Sequence, residues 1–405
     1  MLRASQLAVI KQTVPVLQEG GEALTRHFYE RMFRENPEVL RFFNPAHQKA
    51  GTQQRALAGA VLAYAQNIET PEALASAVEL IAQKHASLGI QAEHYPIVGA
   101  NLLASIQEVL GEAATPAVID AWGAAYGVLA DIFIHREKQI YDHHQQDYGW
   151  TGFKRFVVKR AVTESDTIRS LYLAPEDGMS LRPHLPGQYI TVRVAPQAGG
   201  EPIMRNYSLS NRPGADQYRI SVKHERTREA GAPDGVCSSF IHQQLVEGDV
   251  VELAPPCGEF TLDTGDNRAL VLIAGGVGIT PLLSMLYAAL EANPNREVLL
   301  VQCVLNSAVR PFANELAQLQ GDFPHLRVHV RYSDPLPEDS VQQGVSHGML
   351  DSALLDSLVG EQAPAFYLCG PAPMLRQGWQ LLAGRGGASE DIRFEFFGPA
   401  TDITA

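Results

Sequence analysis

Over the first third of the chain apolar residues recur three and four positions apart, a spacing that predicts helices. Leu24, Phe28, Tyr29, Met32 and Phe33 make one face that stops at Pro37. A turn-like Phe42-Phe43-Asn44-Pro45 follows, and Gln53, Leu57, Val61 and Tyr64 then share the face of a second helix. A third stripe, Leu74, Val78, Ile81, His85 and Leu88, ends at Gly89, and two more helices are predicted over 94–110 and 117–141. No strand-like alternation interrupts residues 1–141, so an all-α domain is expected there. Residues 142–152 are polar and aperiodic and read as a linker, with His143-His144 as solvated linker residues rather than a metal site.

Beyond the linker the period drops to two. Phe156–Val158, Ile168–Leu173, Tyr189–Val194, Tyr218–Val222 and Val250–Leu253 are short strands with Gly and Pro punctuation, which argues for an antiparallel β-barrel over 153–264. One helix begins at Gly235-Val236-Cys237-Ser238-Ser239-Phe240. From 265 to 405 strand and helix alternate. Ala269–Ala274 is an unbroken apolar run, as in a buried parallel strand, followed by a helix from Leu282 to Leu290 and a strand from Val298 to Val304. The whole is a multidomain chain: all-α, then antiparallel barrel, then α/β with a parallel sheet.

Three polar residues occupy slots that the periodicity reserves for apolar ones. His85 lies in the third stripe, Tyr95 leads Val98, Leu102, Ile106 and Val109, and Glu137 falls between Phe133 and Ile140. A lone histidine in such a slot is also what a satisfied core residue looks like. A buried, unpaired carboxylate costs several kcal/mol, so Glu137 needs a partner. All three are satisfied together if Glu137 and Tyr95 hydrogen-bond one nitrogen of His85 while the other binds iron, which would make the imidazole a stronger electron donor.

The 405-residue chain carries a formal net charge of −13 with 19% charged residues, which excludes attraction to nucleic acid or an anionic membrane. No uninterrupted apolar run approaches ~18 residues and no basic, then apolar, leader opens the chain, so a cytoplasmic protein is expected. Cys237, Cys257, Cys303 and Cys369 are far apart, which excludes a ferredoxin-type iron–sulfur cluster and gives no disulfide framework.

Five segments carry further chemistry. Pro186-Gly187-Gln188-Tyr189 opens a strand, and Arg205-Asn206-Tyr207-Ser208-Leu209-Ser210 follows it. A fixed arginine suits a dianionic pyrophosphate, and a tyrosine offers a wall to a flat ring. Gly275-Gly276-Val277-Gly278-Ile279-Thr280-Pro281 joins the Ala269–Ala274 strand to its helix, where the backbone and a helix N-terminus accept a pyrophosphate. It is not an ordinary dinucleotide fingerprint, because Pro281 replaces the third glycine and no acidic residue ends the next strand. Tyr367-Leu368-Cys369-Gly370-Pro371 with Met374, and Phe394-Glu395-Phe396-Phe397-Gly398-Pro399, complete the set.

On these residues residues 153–405 resemble the ferredoxin–NADP reductase superfamily, and residues 1–141 resemble the globin domain of bacterial flavohaemoglobins. The resemblance implies haem b, FAD and NAD(P)H as cofactors. It makes His85 the proximal haem ligand, preceded by Lys84, with Tyr95 and Glu137 as its relay pair. It puts Tyr29 over bound dioxygen, with Gln53 and Leu57 lining the same pocket and Phe43 packed on the porphyrin. Tyr189, Arg205, Asn206, Tyr207 and Ser208 would hold FAD, Phe397 would lie over the flavin face, and Glu395 would stand near its reactive edge. Gly275, Gly276, Val277, Gly278, Ile279 and Thr280, with Cys369, Gly370 and Pro371, would hold the nicotinamide nucleotide. Where the family usually places Val, Ser and a small polar residue at the pyrophosphate helix, this sequence has Val236-Cys237-Ser238-Ser239. Arg310, past the second parallel strand, is a candidate for a 2′-phosphate, which leaves NADH against NADPH open.

The activity implied is nitric oxide dioxygenase. Hydride passes from NAD(P)H to FAD, single electrons reduce the haem iron, ferrous haem binds O2 under Tyr29, and NO reacts with it to give nitrate. The partners expected are the small molecules O2 and NO, with no nucleic acid and no membrane, for a monomer. The alternative is an oxygen-binding or sensing globin whose reductase only keeps the iron ferrous. A reductase for a separate oxygenase would need the missing iron–sulfur cysteines and would leave the globin idle.

Overall fold

The computed structural model describes residues 2–44, 48, 51–197, 200–227, 234–360 and 363–398. Pro45 of the first predicted turn and Pro399 of the last motif lie outside them. The chain forms two compact units, Met1–Gly152 and Phe153–Ala405.

The first unit is helical. Helix α1, Ala4–Glu35, buries Ile10, Leu24, Phe28, Tyr29 and Met32 and gives way to a 3-10 turn at Pro37–Phe42, where proline ends it as expected. Helix α2 is Thr52–Gln66, and α3 is Ala75–Leu88. α3 closes on Gly89 at φ 81°, whose amide turns back to the carbonyls of Ala86 and His85. Helix α4, Tyr95–Leu110, starts with Pro96 in its first turn, and α5 runs Pro116–His143 with the Thr115 hydroxyl capping the Val118 amide. The Arg136 guanidinium on α5 grips Glu79 on α3, with one bond of 2.7 Å.

One expectation changes. Residues 142–152, read as linker, begin as the end of α5 and continue in a π turn, His144–Tyr148. His144, Tyr148 and Trp150 are buried there, in a chain of ring contacts starting at Tyr141. The polar residues between them hide a period that alternation counting does not detect. Among the described residues one helix, Pro116–Tyr148, is also long and apolar enough to cross a membrane by length and composition, with mean hydropathy 1.5. Asp120 and Asp131 interrupt its apolar stretch, so uninterrupted runs stay short. Its Ala121, Trp122, Ala125, Phe133 and Ile140 are buried in the helical unit's cores.

The second unit opens with a six-stranded antiparallel sheet: β1 Lys154–Thr163, β2 Ile168–Pro175, β3 Tyr189–Val194, β4 Ile203–Ser208, β5 Tyr218–Lys223 and, after helix α6 Val236–Gln243, β6 Val250–Leu253. Their order is β4-β3-β6-β1-β2-β5, and a bridge between Leu209 and Ile220 joins the two outer strands into a barrel. β4 escaped the sequence reading: it is the Arg205–Ser208 motif itself, paired with β3 so that Ile190 faces Tyr207 and Val192 faces Arg205. The motif's polar side chains mask its strand character.

The parallel sheet is ordered β10-β9-β8-β7-β11-β12. Its strands are β7 Leu270–Gly275, β8 Val298–Val304, β9 Leu326–Tyr332, β10 Val345–His347, β11 Ala365–Cys369 and β12 Ile392–Glu395. β7 and β11 are buried at every residue, the reason their sequences are continuous apolar runs. Helices α7 Ile279–Ala292, α8 Ala313–Asp322, α9 Ser352–Leu358 and α10 Ala372–Gly384 complete it. α7 is buried on almost all sides because the barrel touches it too: the His184 imidazole meets the Ser284 hydroxyl at 3.1 Å.

Candidate functional site

In the helical unit the three out-of-pattern residues converge. Nδ1 of His85 lies 2.8 Å from Oε1 of Glu137 and 3.2 Å from the Tyr95 hydroxyl, which itself donates to the same carboxylate oxygen at 2.5 Å. Glu137 and Tyr95 are buried, 2% and 8% exposed, while the His85 side chain keeps 34%. Burial, and then the neighbouring Glu137 charge, push the Tyr95 phenol well above its ordinary value, so it remains a donor. Two rings that the sequence reading did not assign brace the cluster. Phe133 packs 5.7 Å from the His85 ring and stacks on Tyr95, and the Tyr126 hydroxyl holds the Tyr95 carbonyl at 2.6 Å. Tyr126 also explains Gly99, since a Cβ there would meet its ring at 2.6 Å. Lys84, next to His85 in the chain, is exposed.

Tyr29 sits among Phe28, Phe33 and Phe43, with ring centroids 5.1, 5.7 and 5.6 Å away. Leu57 packs half-buried in the same core. Burial drives the Tyr29 phenol far above its usual value, opposed by a hydrogen bond from the half-buried Gln53 side chain. Gln53 therefore faces Tyr29. In the sequence that position was ambiguous, because it lies on the first turn of α2.

In the barrel, Tyr189 pairs with Ser208 and Thr191 with Asn206, whose amide oxygen accepts from the Thr191 hydroxyl at 2.8 Å. The Arg205 guanidinium bonds the Met204 carbonyl at 2.7 Å. The Tyr207 hydroxyl reaches Cys237 Sγ, at 3.4 Å, in the first turn of α6. This brings the loosely matching Val236-Cys237-Ser238-Ser239 segment onto the Arg205–Ser208 strand.

In the α/β part the glycine loop and the Cys369–Pro371 loop lie backbone to backbone. A Cβ on Gly278 would fall 2.1 Å from the Cys369 carbonyl oxygen, and one on Gly275 2.7 Å from Met374 sulfur. Those two glycines serve loop-to-loop packing. Gly276, at φ 54° with nothing near its missing Cβ, is the one that opens backbone to an incoming group. Val277 follows it, Ile279 opens α7, and the Thr280 hydroxyl ties back to the Val277 carbonyl at 2.9 Å. Cys369 pairs with Glu395 across β11 and β12; burial, then that carboxylate, pushes its thiol far up. Phe397 is 46% exposed. Arg310 is engaged with Gln302 Oε1 at 2.9 Å.

Comparison with known proteins agrees with this division. Residues 26–133 match the globin family, and residues 272–378 match the oxidoreductase NAD-binding domain. A flavohemoprotein of Rhodopirellula baltica is 47% identical, over all of both chains. A flavohemoglobin of Malassezia yamatoensis, solved with FAD and haem bound, superposes at TM-score 0.84 with 28% identity, covering 98% of this chain and 100% of that one. The flavohaem-like FAD/NAD-binding domain of a Vibrio cholerae nitric oxide dioxygenase is 31% identical at TM-score 0.55, covering 61% of this chain and 99% of that one.

Proposed function

The chain belongs to the flavohemoprotein family, and from that premise we propose that it is a nitric oxide dioxygenase using haem b, FAD and NAD(P)H. Bound FAD would supply the conversion of a two-electron hydride from NAD(P)H into single electrons for haem iron, the chemistry by which NO and O2 would become nitrate. The domain limits proposed are those read from the sequence, with the helical part extended through residue 152 on account of the buried residues there.

The observation that carries the reading is the His85–Glu137–Tyr95 cluster. It occupies Nδ1, which supports the reading that Nε2 is the nitrogen offered to iron. Among the described residues no group of three or more His, Cys, Asp or Glu could hold a bare ion. A single imidazole with a carboxylate behind it fits iron whose other ligands come from a porphyrin. Tyr29, kept protonated by burial, would offer its hydroxyl to oxygen held at the haem, with Gln53 orienting that hydroxyl and Leu57 and Phe43 shaping an apolar wall. Lys84, the residue before His85, would belong to the haem pocket.

In the flavin half, Arg205 balances the pyrophosphate, Tyr207 and Tyr189 wall the ring, and Asn206 and Ser208 supply polar contacts. Phe397 covers the ring face, with Glu395 at its edge. Gly275 to Thr280 and Cys369 to Pro371 receive the nicotinamide nucleotide. The protein acts as a monomer in the cytoplasm on small gaseous substrates.

The test is NO-dependent NAD(P)H oxidation in air with nitrate measured as product. Nitrate formed in step with NAD(P)H consumption supports the assignment. Haem reduction and O2 binding without nitrate would instead make the chain an oxygen-binding globin with its own reductase.

A further inference from the structure

Arg219, on β5 of the barrel, is 4% exposed, so its guanidinium has to find its partners inside the protein. Nη1 and Nη2 donate to the two carboxylate oxygens of Glu315 at 2.8 and 3.0 Å, a bidentate pair. Glu315 lies on α8, in the α/β part. On the barrel side Arg219 Nε donates to the Ser210 hydroxyl at 3.1 Å, and Nη2 also donates to the Ser210 carbonyl. Ser210 is two residues beyond Ser208, and its hydroxyl continues through Ser221 at 2.8 Å to Ser170 at 2.7 Å. On the other side the Tyr287 hydroxyl donates to Glu315 from α7, the helix that begins at the glycine loop. α7 is fixed to the barrel a second time. A Cβ on Gly187 would lie 2.5 Å from the Met285 methyl, one residue after the His184–Ser284 contact.

We propose that Arg219 and Glu315 are positioning residues. Their buried pair, anchored through Ser210 to the Arg205–Ser208 strand and through Tyr287 to α7, sets the spacing between flavin and nicotinamide for hydride transfer. The inference rests on the flavin and nicotinamide assignments above. Neither residue touches a coenzyme in that scheme. In the step they serve, a C–H bond of the dihydronicotinamide breaks and an N–H bond forms on the flavin. Two electrons travel with the hydrogen, and oxidised nicotinamide is left. Such a transfer needs donor and acceptor atoms within about 3–3.5 Å, so a small displacement of one module against the other lowers the rate steeply. Solvent-exposed pairs, such as Arg155 with Glu176, would swing too freely to hold that spacing.

The test uses full-length, cofactor-loaded protein and two variants. Arg219→Met with Glu315→Leu removes both charges without leaving one buried. Glu315→Gln keeps the shape and removes one charge. Stopped-flow flavin reduction at saturating NAD(P)H should slow on the order of ten- to a hundredfold in either variant. The dissociation constant for NAD(P)H and the FAD content should stay at wild-type values. The isotope effect from deuterium at the transferred position should rise, and reoxidation of photoreduced flavin by ferricyanide should not change. A merely structural pair would alter melting temperature and leave the isotope effect alone. Wild-type reduction rate and isotope effect in a folded, FAD-loaded variant would overturn the proposal. If the double variant does not fold, Glu315→Gln decides by the same readouts. Loss of FAD from both variants would overturn it as well, by making the pair a folding contact. A wild-type flavin that NAD(P)H fails to reduce removes the functional reading itself, and the positioning role with it.

Discussion

Oε1 of Glu137 stands 2.8 Å from Nδ1 of His85, and the carboxylate is buried while the imidazole is one-third exposed. The carboxylate can only accept, so the ring proton sits on Nδ1 and the lone pair is on Nε2. Glu137→Gln keeps the shape and weakens the acceptor. The iron–imidazole stretching frequency should fall, and NO turnover should drop on the order of 10- to 100-fold, the usual cost of losing such a partner. An unchanged frequency by resonance Raman would mean the carboxylate does not tune the ligand.

Tyr29 stays protonated because burial outweighs the opposing Gln53 contact. A hydrogen bond to oxygen carrying partial negative charge contributes about 1.5–3 kcal/mol. Tyr29→Phe keeps the ring packing against Phe28, Phe33 and Phe43 and removes only the hydroxyl. O2 should therefore dissociate on the order of 10- to 100-fold faster, and NO turnover at low oxygen should fall with it. Unaltered O2 release, followed by flash photolysis, would reduce Tyr29 to a packing residue.

The proximal cluster was legible because a buried carboxylate has so few acceptable surroundings. Once Glu137 fell on an apolar stripe, His85 and Tyr95 were the partners at helical spacing. The parallel sheet was legible for the opposite reason, as burial on both faces leaves strands such as β7 no polar positions. What stayed hidden depends on contacts between distant segments. β4 carries polar side chains at Arg205 and Asn206, so its alternation is lost. Tyr126 and Phe133 look like ordinary core aromatics until Gly99 and His85 are brought against them. Arg219 and Glu315 are 96 residues apart, and each reads as a surface charge on its own.

His184 introduces a pH dependence. Burial lowers its folded pKa from 6.5 to about 3. Between those values the unfolded chain binds a proton that the folded one does not, so this residue's effect is to lower stability as pH falls below about 6.5. At pH 5 the loss is about 2 kcal/mol for a shift of this direction and size. Gln at this position can still bond Ser284 but cannot titrate. His184→Gln should therefore lose about 2 kcal/mol less than wild type between pH 7.5 and pH 5, read from flavin-monitored unfolding. Equal losses in both proteins would show that His184 is protonated in the folded state.

The last prediction concerns where the chain divides. The polar stretch after residue 141 invites a cut there, yet His144, Tyr148 and Trp150 are buried and belong to the helical unit. A fragment ending at 141 discards those three aromatics, and large buried rings contribute several kcal/mol each. A fragment ending at Gly152 keeps them, so 1–152 should melt well above 1–141. It should bind haem and O2 but stay ferric with NAD(P)H alone, since every nucleotide motif lies beyond residue 153. The complementary 153–405 fragment should bind FAD and reduce ferricyanide. Mixed at micromolar concentration the halves should recover little haem reduction, because tethering holds the partners at an effective concentration in the millimolar range. Equal melting of the two N-terminal fragments would show that the aromatic chain is dispensable. Haem reduction by 1–152 with NAD(P)H alone would overturn the electron path, as would a 153–405 fragment that binds flavin without oxidising NAD(P)H.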